Sequence, residues 1–123
     1  MSRKIMVVDD SASIRALIAT TLNNEGYDVV EAEDGEDALT KLDSELDGVD
    51  MMITDLNMPR MDGINLIEKF RKIPGCRFIP VVMLTTESQE EKRRQGKAAG
   101  ASAWLTKPFK PEQLLGLVRM VLV

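Results

Sequence analysis

The chain has 123 residues, which predicts one domain over residues 1–123, and 44% of them are hydrophobic, enough for a core. It has no histidine and one cysteine, Cys76, which excludes histidine-based nucleophiles, phosphohistidine, an internal disulfide and multi-cysteine zinc sites. The net charge of −4 argues against a nucleic-acid partner, and the absence of a signal segment or of ~20 consecutive apolar residues predicts a cytoplasmic protein without a membrane partner.

Five short apolar or β-branched runs alternate with segments of helical periodicity. The runs are residues 4–8, 28–32, 51–54, 80–84 and 103–106. The first, third and fourth are almost continuously apolar, as in strands buried on both faces of a parallel sheet. The helical segments lie within residues 14–22, 38–46, 64–70, 89–99 and 111–122. This alternation predicts an α/β fold of the (βα)5 type, a doubly wound parallel five-stranded sheet with helices on both faces.

Polar side chains stand at the carboxyl ends of four of these runs. Asp9 and Asp10 follow the first, Asp55 the third, Thr85 the fourth and Lys107 the fifth. Because ligands of open α/β sheets bind outside the carboxyl ends of the strands, we expect these five side chains to converge. Crowded carboxylates repel unless a cation relieves them, and an all-oxygen set suits Mg²⁺. One carboxylate there can accept a phosphoryl group, whose charge the metal and Lys107 would neutralise.

Four motifs at these positions carry a family resemblance. They read VVDDS at 7–11, TDLNMPRMDG at 54–63, MLTT at 83–86 and LTKPF at 105–109. Together they resemble the receiver domain of bacterial response regulators, over essentially the whole chain. The resemblance implies a phosphoprotein of a two-component system that receives its phosphoryl group from a sensor histidine kinase. It also implies the flavodoxin-like strand order 2-1-3-4-5, which periodicity does not give.

The resemblance further implies a role for each matching residue. Asp55 is the phosphoacceptor and Thr85 the switch hydroxyl. Asp10, the Asp55 side chain and the backbone carbonyl of Asn57 are direct Mg²⁺ ligands, whereas Asp9 acts mainly through water.

Residues of the last strand and the following loop also match the family. Lys107 is implied to contact the phosphate and to form a cis peptide bond with Pro108. Trp104 stands where the family usually has the Tyr or Phe that turns inward on activation; the alternative is a packed strand aromatic without a switching role. Asn57 and Glu87 occupy two positions linked to dephosphorylation rate, and the chemotaxis type carries the same pair.

The resemblance places the output surface on the fourth helix, fifth strand and fifth helix. The sequence adds Leu115, Leu117 and Met120 beyond the core stripe of the last helix, which predicts either a docking or dimer contact or deeper burial. We interpret the chain as a single-domain regulator of chemotaxis or the flagellar motor, with a motor switch component as output partner and a phosphatase as a further partner. A monomer or a weak phosphorylation-dependent dimer is expected.

The same residues leave other functions to consider. Within the family, the alternatives are a phosphorelay shuttle and the isolated receiver module of a larger regulator. A haloacid-dehalogenase-type phosphatase needs a second aspartate two residues after the nucleophile, where this chain has Asn57. A flavodoxin-like cofactor binder needs a phosphate loop where Asp9 and Asp10 would repel the phosphate. We therefore expect self-phosphorylation and self-dephosphorylation but no turnover enzyme.

Overall fold

Strands and helices alternate along the whole computed structural model, which describes residues 3–44, 48–86 and 90–122. The strands are β1 Lys4–Val8, β2 Asp28–Ala32, β3 Met51–Asp55, β4 Val81–Thr85 and β5 Ala103–Thr106. The helices are α1 Ala12–Asn24, α2 Gly35–Ser44, α3 Gly63–Lys72, α4 Glu90–Ala99 and α5 Pro111–Val121. The strands pair in parallel in the order β2-β1-β3-β4-β5, which confirms the (βα)5 fold and its flavodoxin-like order.

The sheet separates two hydrophobic clusters because successive side chains of a strand point to opposite faces. In β1, Ile5 and Val7 join the cluster under α1 and α5, whereas Met6 and Val8 join the cluster that includes α3. These four side chains are fully buried. The central strands are therefore rigid supports for whatever stands at their carboxyl ends.

Two strands end one residue later than the sequence pattern predicts. β3 includes Asp55 and β4 includes Thr85, because backbone pairing continues past the last apolar side chain. Asp55 is in register with Leu84, and the Thr85 carbonyl accepts a hydrogen bond from the Lys107 amide at 2.6 Å. The polar side chains are thus fixed by the sheet itself. Gln89, the predicted start of the fourth helix, lies outside the described residues.

The apolar surface of α5 is smaller than the sequence suggests. Leu115 and Leu117 are half-buried against the cluster beneath α1 and α5, so deeper burial accounts for both. Met120 remains 66% exposed. None of the helices in the described part of the chain is long and apolar enough to cross a membrane.

Candidate functional site

A lysine lies between two buried carboxylates at the carboxyl edge of the sheet. The Nζ atom of Lys107 is 2.9 Å from Oδ2 of Asp9 and 3.2 Å from Oδ1 of Asp55. Asp9 is fully buried and Asp55 is 4% exposed, because each continues a buried strand. The sequence predicted that these residues converge, and the structure brings them into direct contact.

Asp10 completes an acidic cluster with the same two residues. Asp9, Asp10 and Asp55 each offer a carboxylate oxygen within 4.8 Å of the others. Asp10 is exposed, so one side of the cluster is open to water and to further oxygen ligands. An all-oxygen, partly open donor set fits Mg²⁺, which when bound would add positive charge beside the three carboxylates. The Asn57 carbonyl belongs to the loop that follows Asp55.

The three carboxylates of the cluster are only partly neutralised by Lys107. Burial raises the pKa of Asp55 above its usual value; the charge of Asp9 raises it further, and Lys107 only partly opposes the rise. Burial also works against the charged form of Lys107. Its hydrogen bond to Asp9 and the charges of Asp55 and Asp9 outweigh this, and the net pKa of Lys107 is raised. Lys107 therefore stays protonated at neutral pH, and a further cation is electrostatically favoured.

The β1–α1 loop is held by backbone hydrogen bonds around Asp9. The Asp9 carboxylate accepts from the Ser11 amide at 2.9 Å, and the Asp9 amide donates to the Ala32 carbonyl at 3.2 Å. Arg15 donates to the Asp9 carbonyl at 2.6 Å. Sequence reasoning missed this role of Arg15. The available signal was its position: Arg15 is a basic residue in the first turn of the helix that follows Asp9 and Asp10.

The end of β3 and the start of α3 approach each other backbone to backbone. A Cβ atom on Gly63 would lie 2.4 Å from the Asp55 carbonyl oxygen, so glycine is needed for this packing. The Gly63 amide donates to the Leu56 carbonyl at 2.9 Å, and Asp62 caps α3 by accepting from the Asn65 amide at 2.8 Å. This contact fixes both ends of the loop that carries Asn57.

The Thr85 side chain has a hydrogen-bonding capacity that the described residues do not use. Its hydroxyl oxygen is buried and has no hydrogen-bond partner among the described residues. Buried hydroxyls are normally hydrogen-bonded, so an acceptor supplied from outside the chain would satisfy it. The neighbouring Lys107–Pro108 peptide bond is cis. Glu87 lies outside the described residues.

Trp104 is half-buried on β5, opposite Met83 of β4. The Arg93 guanidinium carbon lies 5.6 Å from the centroid of the Trp104 ring, and Arg93 donates to the Thr106 hydroxyl at 3.3 Å. An arginine over an aromatic face is an attractive cation–π contact. Arg93 therefore stabilises the observed position of the ring, a contact that sequence reasoning missed.

The fold and the site together place the protein among doubly wound α/β proteins with a carboxylate-rich site at the carboxyl edge of the sheet. The chain belongs to the response regulator receiver domain family, whose model matches residues 5–119. It is a CheY-like receiver domain of the two-component type.

Its relatives include stand-alone proteins and longer regulators. The chain is 41% identical to chemotaxis protein CheY1 of Helicobacter pylori over 120 residues, 97% of this chain and 96% of that protein. It superposes on chemotaxis protein CheY4 of Vibrio cholerae with a TM-score of 0.94 and 43% identity, over 99% and 100% of the two chains. It is also 37% identical to the phosphate regulon transcriptional regulatory protein PhoB of Escherichia coli over 122 residues, 99% of this chain but 52% of PhoB.

Proposed function

We propose that Asp55 accepts a phosphoryl group from the phosphohistidine of a sensor histidine kinase in the presence of Mg²⁺. The observation that carries the proposal is the position of the Asp55 carboxylate. It lies within the acidic cluster, 3.2 Å from the Lys107 ammonium. The chain has no histidine of its own, so the phosphoryl donor is external.

The proposed transfer uses each polar side chain of the site. A carboxylate oxygen of Asp55 attacks the phosphorus atom, and an acyl phosphate bond forms. The phosphorus–nitrogen bond of the donor breaks, its electron pair stays on the imidazole nitrogen, and that nitrogen takes up a proton. Lys107 neutralises charge on the phosphoryl oxygens. The Thr85 hydroxyl then donates to one of these oxygens and gains the partner it lacks.

A groove beside Lys107 offers space for the donor protein. Its volume is about 410 Å³, and its lining is mostly apolar: Ile14, Leu17, Thr86, Lys107, Pro108 and Phe109. Leu17, which lines this groove, is 46% exposed and is therefore accessible to a partner. We propose that the donor docks here, next to the site that it phosphorylates.

The proposed output is chemotaxis or flagellar motor control through the α4-β5-α5 surface. It is supported by the similarity to CheY1 and CheY4 over nearly the full length of both relatives. We further propose a cytoplasmic single-domain protein that is not a turnover enzyme, acts as a monomer or weak phosphorylation-dependent dimer, and has a motor switch component and a phosphatase as partners. We propose no nucleic-acid contact for this receiver.

A second candidate is the receiver module of a transcriptional regulator. The similarity to PhoB, of which the chain spans about half, favours it. A phosphorelay shuttle shares the same site chemistry. Binding of the phosphorylated chain to a motor switch component separates the first candidate from both alternatives.

Incubation with acetyl phosphate and Mg²⁺ is expected to add one phosphoryl group to the protein, detected by intact mass. The adduct should be absent when EDTA removes the metal. If no adduct forms, binding of beryllofluoride with Mg²⁺ distinguishes rapid dephosphorylation from a site that does not accept phosphate. Failure of both experiments contradicts the proposed function.

Beryllofluoride with Mg²⁺ is expected to change the fluorescence emission of Trp104 if the ring moves on activation. Arg93→Gln should enlarge the change, because it removes a contact worth about 0.5–1 kcal/mol that favours the observed ring position. Arg94→Gln is the control, since Arg94 pairs with Glu91 on the exposed face of α4. Unchanged emission in wild type and Arg93→Gln would count against a moving Trp104.

A further inference from the structure

An ion pair joins two loops at the carboxyl edge of the sheet. Asp34 lies between β2 and α2, and Arg60 lies between β3 and α3. The Arg60 guanidinium nitrogen is 2.6 Å from Oδ2 of Asp34, and the Asp34 side chain is 8% exposed. The Arg60 side chain is 65% exposed, so the buried carboxylate is the fixed partner, and a short charge-assisted contact of this kind is stronger than a neutral hydrogen bond.

The Asp34 carboxylate is itself held in place. Its second oxygen, Oδ1, accepts from the Asp37 amide at 2.8 Å at the start of α2. This hydrogen bond, together with Arg60, keeps the pKa of Asp34 below its usual value despite burial. The Asp34 carboxylate is therefore ionised at neutral pH, and each of its two oxygens has a partner that holds it in place.

Arg60 has a backbone conformation that arginine rarely adopts. Its φ is 67°, in the left-handed region that favours glycine and asparagine. The adjacent Met61 amide donates to the Pro59 carbonyl at 2.7 Å, so the chain turns tightly here. A strained backbone persists where surrounding contacts determine it, and the Asp34 pair is such a contact.

A second contact joins the start of α2 to the β3–α3 loop. A Cβ atom on Gly35, the first residue of α2, would lie 2.6 Å from Sδ of Met61, so the glycine lets the helix start and the loop pack directly together. Met61 is 8% exposed. The contact between Gly63 and Asp55 thus fixes the two ends of the β3–α3 loop. Between these ends, Arg60 is held by its pair with Asp34, and Met61 packs against Gly35 at the start of α2.

We propose that Asp34 and Arg60 are positioning residues for Mg²⁺ binding. Their pair holds the backbone of the β3–α3 loop, which carries the Asn57 carbonyl proposed as a metal ligand. This inference rests on the proposed function, because it concerns the same metal site. Groups that orient metal ligands typically change metal affinity by 10–100-fold when they are removed.

The test measures Mg²⁺ affinity by calorimetry on the full chain. Asp34→Asn keeps a helix-capping side chain but removes the charge, and Arg60→Gln removes the other charge. Each should weaken Mg²⁺ binding about 10-fold, and the double variant should be no weaker than either single one, because both changes break the same pair. Arg60→Lys, which keeps a cation, should recover part of the affinity. Arg94→Gln removes an exposed 2.7 Å ion pair on α4 and should leave the affinity unchanged.

Amide hydrogen exchange without metal provides a second readout. The amides of residues 57, 58 and 60–63 should exchange faster in Asp34→Asn and Arg60→Gln than in the wild type. In Arg94→Gln they should exchange at the wild-type rate. Wild-type affinity and exchange in both pair variants, or additive losses in the double variant, would overturn the inference while the proposed function stands. Failure of the wild type to bind Mg²⁺ would overturn both.

Discussion

Asp55→Asn is expected to abolish the phosphoryl adduct and, without metal, to raise the free energy of unfolding at neutral pH. The amide cannot form an acyl phosphate. It also removes one charge from a buried site where Asp9 and Asp10 remain, and an uncharged side chain of the same shape relieves the repulsion. If Asp55→Asn loses the phosphoryl adduct and yet unfolds less readily than the wild type, then Asp55 serves phosphorylation and not the stability of the fold.

The stability gain should depend on pH in a defined direction. The pKa of Asp55 in the folded protein is raised above its usual 3.8, so the folded state holds its proton more tightly than the unfolded state does. As the pH rises above 3.8, the unfolded chain releases this proton first, and the wild type loses stability until the raised pKa is passed. The advantage of Asp55→Asn should therefore be absent at low pH, grow through this window and then level off.

Urea denaturation in EDTA over a pH series measures this difference. Asp43→Asn is the matched control, because Asp43 is exposed on α2 and lies outside the cluster. It should show no comparable gain. A persistent adduct on Asp55→Asn would place the phosphoacceptor elsewhere, and a less stable metal-free variant would contradict the electrostatic account.

Lys107→Ala is expected to destabilise the metal-free protein by about 3 kcal/mol. The change leaves the Asp9 and Asp55 carboxylates buried without their cation, and removing one partner of a buried pair typically costs about 3–5 kcal/mol. Lys107 is 17% exposed, which supports the lower end of that range. Mg²⁺ should restore more stability to this variant than it adds to the wild type, because it replaces the missing charge.

The same variant tests the proposed role of Lys107 in signalling. Phosphorylated Lys107→Ala should bind its output partner no better than the unphosphorylated protein, since the contact between Lys107 and the phosphate is missing. Partner affinity equal to that of the phosphorylated wild type would refute this role. In denaturation, adding Asp55→Asn to Lys107→Ala should recover stability, whereas the exposed Lys97→Ala should change little. A Lys107→Ala protein as stable as the wild type would show that the buried carboxylates do not need this cation.

Much of the site could be predicted because strand periodicity and connectivity are local properties. Runs of apolar residues locate the parallel strands, and the residue after each run must then stand at the same edge of the sheet. Asp9, Asp55 and Lys107 were predicted to meet for this reason, and they do. The order of the strands came from the family resemblance, because periodicity does not say which strands are neighbours.

The burial of α5 shows where a periodic pattern stops being informative. Leu115, Leu117 and Met120 look alike in the sequence, yet only Met120 is exposed, at 66%. Which of them is covered depends on how α5 packs against α1 and the sheet. That packing is a long-range property that the helix's own residues do not specify.

The sequence by itself determined the alternation of strands and helices and the residues at the strand ends, because both follow from side-chain patterns a few residues long. Only the tertiary structure decided that Arg60 pairs with Asp34, that Arg15 holds the Asp9 carbonyl and that Arg93 lies over Trp104. In each case a long, flexible cationic side chain reaches a partner on another element. Its partner is set by loop conformation and helix packing, which exist only once the sheet has assembled.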